Sequence, residues 1–379
     1  MRIVIAGGGF GGLSAALTLA KLFHMPQQKD HEIVLVSQRE YFLFRPSLIW
    51  AAFGQRQLDQ ITFPLRPALE KSGVSFLHDA IKKVKPDQRS ILLESGQELS
   101  YDYLIIATGA LPDWEDVPGD VSNVVSIYFE KDTLSAYEKI NALQNKQSIV
   151  AAVYNNHVMP AIAYEFIFEL DEYLKKRNTQ VSLTFCTSEQ KLLERAGEKT
   201  TEIIEKHMQE KNIAYYCNTE IKRVKKNAIL FDNGMEFSCD WSFVIPPYKG
   251  ADFIAQTKQF KQSNGLIHVN DYLQVDGFDH IYCIGDAALP NESAFKNGRT
   301  AKMEGEYAAK TIFKQIQGQP YEDEKFQSHL LAIWELGSDG AVMSFKYPLP
   351  EGTAEFAVEG GIPHLFKTAF EKYFVWKNS

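Results

Sequence analysis

Near the amino end, Gly7-Gly8-Gly9-Phe10-Gly11-Gly12 carries the spacing Gly-x-Gly-x-x-Gly. Glycines so spaced can bring a backbone against a pyrophosphate, provided that a strand precedes them and a helix follows. Arg2-Ile3-Val4-Ile5-Ala6 reads as that strand and Leu13 to Phe23 as that helix. Gly7 permits the tight turn, Gly9 the approach to the phosphates, and Gly12 the close packing of helix on strand. Free amides at the helix start complement the negative charge. The set predicts a bound dinucleotide. Two other residues are candidates for proton chemistry. Glu165 stands near a helix start, as a proton relay or a helix cap. His157 lies in an irregular segment, as a proton carrier near neutral pH or as a hydrogen-bonded loop residue.

The elements that position these groups alternate as α/β units. Ile33 to Val36 and Tyr101 to Ala107 read as further strands of the first unit, with a hairpin around Ser95-Gly96. A second unit begins near Ser148, with strands Ile149 to Tyr154, Val181 to Cys186, Ile213 to Cys217 and Ala228 to Phe231. Helices between them cover about Ala161 to Lys176 and Thr200 to Lys211. The chain returns to the first unit through Gly265 to Val269 and Ile281 to Asp286, then enters a helix over Gly298 to Gln317 with Ala308, Ala309 and Ile312 inward. A distinct tail starts near Tyr321.

The length of 379 residues allows at least two cores. A net charge of -8 argues against nucleic acid as a partner, because phosphate contacts need a basic surface. No apolar run is long enough to span a bilayer, and no signal peptide precedes the first strand. The expected location is the cytoplasm or the inner face of a membrane. Cys186, Cys217, Cys239 and Cys283 form no C-x-x-C and have no His at metal-ligand spacing, so no metal site is expected. Cys186 and Cys283, in apolar strand-like runs, read as buried structural thiols.

The second unit has no phosphate cradle. Its first strand runs into Tyr154-Asn155-Asn156-His157-Val158-Met159-Pro160, and no glycine occurs between Gln144 and Arg195. Side chains occupy the turn where a nicotinamide pyrophosphate needs the bare backbone. Ordinary NADH docking is therefore not expected.

Gly7 to Gly12, Ala107-Thr108-Gly109 and Ile284-Gly285-Asp286-Ala287 together resemble the two-dinucleotide-domain flavoproteins. The resemblance covers nearly the whole chain. It implies an α/β fold of two Rossmann-like domains, with FAD in a split first domain (1–110 and 265–320). A second Rossmann-like domain (111–264) is inserted, and a membrane-facing segment (321–379) follows. Gly7, Gly9, Phe10, Gly12, Thr108, Gly109, Gly285 and Asp286 then bind FAD, with Asp286 at the ribityl chain and pyrophosphate. Local matches are similar to the sulfide:quinone oxidoreductase branch, to which type II NADH dehydrogenases are related. Ser37 ends the second strand, where many such folds hold the ribose. Tyr41 to Pro46, with Arg45, resembles a segment near the flavin, and Lys296-Asn297-Gly298 one that approaches its ring. Lys296 is then a cation that stabilises reduced flavin. Ala163-Tyr164-Glu165-Phe166 and the ending Phe370 to Lys377 also match that branch.

That branch uses cysteines beside the flavin. Around the three expected places this chain has Ser126-Ile127-Tyr128, His157-Val158-Met159 and Ile333-Trp334-Glu335. Phenol, thioether and indole form no persulfide, so thiol-based sulfide oxidation is not expected. In the tail, Leu365, Phe366, Ala369, Phe370, Tyr373 and Phe374 follow Pro363 at helical spacing, with Lys367, Glu371 and Lys372 between them. They predict an amphipathic helix in a membrane interface, open to a lipid-soluble quinone, with Leu330 to Trp334 as an adjoining part of the surface. Docking of the helix on the protein's own core or across a homodimer is the other reading. The leading function is a peripheral FAD-dependent quinone reductase with an unidentified donor. A type II NADH dehydrogenase-like enzyme and a non-catalytic FAD-binding interaction protein are the alternatives.

Overall fold

The computed structural model describes residues 1–23, 31–154, 161–290, 296–321, 323–349 and 352–379. Its largest sheet has nine strands, with Arg2–Ala6 between Tyr103–Ile106 and Glu32–Ser37. The central neighbours run parallel, including Tyr103–Ile106 beside Phe278–Cys283. Ile3, Val4, Ile5, Leu104, Ile105 and Ile106 are fully buried. Unbroken apolar strands of this kind are what a parallel sheet covered on both faces requires.

The chain leaves this sheet after Ile106 and builds a second, five-stranded one before returning at Gln262–Ser263 and Leu266–Val269. In the second sheet Val124–Val125, Trp241–Ile245, Ser148–Val153, Ser182–Cys186 and Ala214–Tyr216 are all parallel. Two Rossmann-like layers in one chain match the expected α/β class. The helix after the glycines, Phe10–Phe23, packs on Gly298–Ile316. A Cβ on Gly305 would sit 2.2 Å from the Gly11 carbonyl oxygen, so both positions are small because the helices touch backbone to backbone. Ala308, Ala309 and Ile312 are buried, as expected.

The tail departs from expectation at its strand, while its helix follows expectation except at Phe374, which turns inward. Leu330–Glu335 is a strand of a three-stranded antiparallel sheet with Ala341–Pro348 and Thr353–Gly360. Leu330 and Trp334 are buried in the core of the second unit and do not extend an exposed surface. The helix Gly361–Asn378 does form, but it faces the other way round from an ordinary docked helix. Pro363, Lys367, Glu371 and Phe374 point inward, while Ile362, Leu365, Phe366, Phe370, Tyr373 and Trp376 are exposed, Trp376 to 75%. The inversion follows from what lies beneath: counter-charges from Glu165, Glu335 and Arg56 meet Lys367 and Glu371.

Candidate active site

Register brings the three sequence pieces together. Ala6 pairs with Ile106, and Ile106 with Cys283. Gly7, Ala107–Gly109 and Ile284–Asp286 therefore leave the carboxyl ends of three adjacent strands, the edge where open α/β sheets bind ligands. The Gly7 amide also donates to the Val36 carbonyl at 2.8 Å, which sets Ser37 alongside the turn.

The glycines divide by role. At Gly7 (φ +110°) a Cβ would lie 2.3 Å from the Ala107 carbonyl oxygen, and at Gly12 it would lie 1.9 Å from the Gly7 carbonyl oxygen. Both are needed by the protein's own packing. At Gly9 a Cβ would meet nothing within 4 Å, so the bare backbone there faces open space. The buried Thr108 hydroxyl has no hydrogen-bond partner among the described residues. An open Gly9 and an unanswered Thr108 hydroxyl fit a pyrophosphate and its sugar in this edge. The Ser37 hydroxyl accepts from the Arg39 amide at 3.1 Å and sits beside Gly8.

The Asp286 turn is braced from behind. The Gly285 amide donates to buried Glu304, and Lys296 Nζ donates to the carbonyls of Gly285, at 2.8 Å, and of Ala288. Burial pushes the Glu304 carboxyl up to about 7, against the attraction of Lys296. The structure thus places Lys296 on the turn that carries Asp286. Arg45 Nη1 donates to the Tyr128 hydroxyl at 2.5 Å and its guanidinium lies over the ring. The same hydroxyl donates to the Ala110 carbonyl. Desolvation keeps the Tyr128 phenol protonated, with Asp286 adding to the effect.

Phe10 joins this edge to the tail. Its ring packs against Phe42 at 5.0 Å, Phe44 at 5.4 Å and Phe374 at 5.2 Å between centroids. Glu165 lies two turns earlier under the same inner face of the tail helix, against Lys367, and is no helix cap. Buried at the fifth position of Ala161–Lys176, it accepts from Lys367 Nζ and, at 3.1 Å, from the Glu335 amide. Burial raises the Glu165 carboxyl, with Lys367 opposing and Glu335 adding to the rise. Burial disfavours the Lys367 charge, but Glu165 and Glu335 outweigh it, so the ammonium persists. Next along the helix, Glu169 accepts from Gln55 at 2.8 Å, and burial lifts it to about 7. His157 and Met159 lie outside the described residues.

Sequence reading missed Glu169, Glu335 and Lys367 as site groups. The available signal was the 363/367/371/374 spacing, which marks an inner face once the polar residues on it are read as partners.

All four cysteines are free. Cys186 and Cys283 are fully buried, as expected. Desolvation lifts the thiols of Cys186 to about 12 and of Cys217 and Cys239 to about 11, and raises that of Cys283 too. None is a thiolate near neutral pH, so none is poised for sulfur transfer. Among the described residues no cluster of His, Cys, Asp or Glu is arranged to hold a metal ion.

Residues 1–305 match the pyridine nucleotide-disulphide oxidoreductase family. The chain is 29% identical to a sulfide-quinone reductase of Aquifex aeolicus, over 99% of its own length and 90% of the relative's. It is 27% identical to a demethylphylloquinone reductase of Synechocystis, over 90% and 86% of the two. The crystal structure of the sulfide:quinone oxidoreductase of Aquifex aeolicus superposes with a TM-score of 0.90 at 28% identity, covering 100% of this chain and 91% of that one. With the cofactor edge and the missing thiols already established, the chain belongs to the pyridine nucleotide-disulphide oxidoreductase family, as a sulfide:quinone oxidoreductase-like flavoprotein enzyme.

Proposed function

We propose that the protein is a peripheral membrane FAD-dependent quinone reductase whose electron donor is not sulfide acting through protein thiols. The observation that carries this reading is the inverted tail helix. Its six large apolar residues face outward, while Phe374 on its inner side touches Phe10 of the glycine turn. One helix thus links a lipid-seeking surface to the cofactor edge. Among the described residues no helix is long and apolar enough to cross a membrane. An interfacial helix fits that finding. Two relatives are named for quinone substrates, which agrees with this reading.

Family membership implies FAD, which when bound supplies the two-electron redox centre. Gly9 and Thr108 line the space for its pyrophosphate and ribose side, Ser37 borders the first turn, and Asp286 extends from the braced turn. Arg45 and Tyr128 hold one another beside Ala110 and shape the wall of the site. Glu165 and Lys367 keep a hydrogen-bonded proton within the inner side of the tail helix.

A nicotinamide donor is disfavoured by the second unit. Glu189 follows the strand Ser182–Cys186, where a ribose-clasping acid often stands. It is buried, and it accepts from Tyr164 at 2.6 Å and Thr187 at 3.0 Å. Anaerobic reduction of the purified flavoprotein with sulfide or NADH, followed by addition of a short-chain quinone, tests the reading. Neither donor should reduce the flavin rapidly, and after chemical reduction with dithionite the oxidised flavin absorbance should return when quinone is added. Failure of quinone to reoxidise the flavin would overturn it.

A further inference from the structure

Three carboxyls and one ammonium share the space under the tail helix. Glu165 and Glu169 come from Ala161–Lys176, Glu335 from the end of its strand, and Lys367 from the helix itself. The nearby Arg56 is already paired with Glu371 at 2.9 Å, and Ser47 donates to the same carboxylate. Lys367 can balance only one of the three acids. Buried carboxyls so close together cannot all ionise, so the cluster stores at least one proton near neutral pH.

Among the described residues, His364 links this store to water through a group that can carry a proton. His364 stands one helical turn before Lys367, and its side chain is 42% exposed while that of Glu335 is 1% exposed. His364 Nδ1 lies 2.8 Å from Glu335 Oε2. The other oxygen, Oε1, is buried with no hydrogen-bond partner and lies 3.6 Å from Lys367 Nζ. Lys367 in turn donates to Glu165. A line of exchangeable groups therefore runs from the surface to Glu165, hydrogen-bonded at His364–Glu335 and Lys367–Glu165 and joined by the 3.6 Å ion-pair step between them. Burial lifts Glu165 and Glu169, in keeping with a shared proton.

We propose that His364 and Glu335 form the proton entry that recharges this buried cluster during quinone reduction. The inference rests on the quinone reductase reading above. Reducing a quinone to a quinol takes two electrons and two protons, the protons ending on its two oxygens. The electrons come from reduced FAD. Bound FAD would supply one proton along with those electrons, and the second would come from the cluster through Lys367 and Glu165. The cluster is then one proton short. His364 takes a proton from water and passes it to Glu335, which restores the count. An imidazole suits the task because it can take a proton on one ring nitrogen and give one up from the other.

The test uses the full-length flavoprotein, reduced with dithionite and mixed anaerobically with a short-chain ubiquinone analogue at pH 7.5. With dithionite and quinone both in excess, continuous turnover of His364→Gln should slow by about tenfold or more, while the first reoxidation, served by the stored proton, keeps the wild-type rate. Added imidazole should restore much of the lost rate, which a merely structural defect would not allow. Flavin content and thermal unfolding report whether the variant folds. Equal turnover rates in variant and wild type, or slowing that imidazole leaves unchanged, would overturn the proton entry alone. A wild type that quinone does not reoxidise would overturn the quinone reading and this inference with it.

Discussion

Phe374, on the inner side of the last helix, packs its ring 5.2 Å from that of Phe10, inside the glycine motif at the opposite end of the chain. The two residues are 364 positions apart, and their contact ties the outward-facing aromatic helix to the cofactor edge. Phe42 and Phe44 complete the cluster, both stacking within 6 Å of Phe374. A tilt of the helix would therefore be felt at the glycine turn.

Gly9→Val should abolish flavin retention and leave the fold intact. The valine would point into open space in the protein itself and collide only with a bound pyrophosphate. Gly12→Ala should behave differently, because its methyl would strike the Gly7 carbonyl and destabilise the fold. Flavin absorbance and thermal unfolding of the two variants, measured side by side, check the distinction. Full flavin content in Gly9→Val would remove the assignment.

The pair Phe366→Asp and Trp376→Asp should release the protein from liposomes with its flavin still bound, since both side chains are exposed. Point substitution is the cleaner test here. Removing the whole helix would leave Glu165 and Glu335 buried without Lys367. Co-sedimentation unchanged in the double variant would refute the membrane face.

Lys367→Met should cost about 3–5 kcal/mol of stability, the usual scale for stranding one partner of a buried ion pair. Adding Glu165→Gln should recover part of the loss by removing one stranded charge. Denaturant midpoints of the single and double variants measure the coupling. Additive losses would show that the two groups act independently.

Much of this arrangement was legible from residue types and spacing, and the exceptions have physical causes. The cradle could be read because Gly7, Gly9 and Gly12 are dictated by local backbone needs, and the structure gives each a distinct reason. The strands could be read because their apolar runs are buried on both faces. The outward aromatic face of the last helix could be read as well, but the polar partners of its inner face could not. An apolar stripe usually faces inward, and only the distant Glu165, Glu335 and Arg56 explain why Lys367 and Glu371 do so here. The role of Leu330 to Trp334 was misjudged for a similar reason. Its partners, Ala341–Pro348 and Thr353–Gly360, are supplied by tertiary pairing that no local pattern announces.

Glu169 makes stability depend on pH with a definite sign. Its carboxyl is lifted from 4.5 to about 7, chiefly by burial. Between those values the folded protein holds a proton that the unfolded chain has released, so stability falls as pH rises through the window. The loss is at most about 3 kcal/mol for a shift of this size. Glu169→Gln should therefore gain stability relative to wild type from pH 5 to pH 8. Urea midpoints at the two pH values check this, and a difference that does not vary with pH would contradict it.

Alkylating the accessible thiols, or replacing Cys186, Cys217, Cys239 and Cys283 by Ala or Ser, should leave flavin reoxidation by quinone unchanged. All four thiols are protonated near neutral pH, and desolvation dominates at each. A large loss of rate in the properly folded cysteine-free variant would restore a thiol to the mechanism.

The most direct test of the central claim is reoxidation on a membrane. The dithionite-reduced protein is bound to liposomes that carry a long-chain quinone, and flavin absorbance is followed anaerobically. The account predicts rapid return of oxidised flavin in the wild type and slow return in the outer-face double variant. Flavin that stays reduced beside a membrane-held quinone, in a protein shown to be bound there, would contradict it.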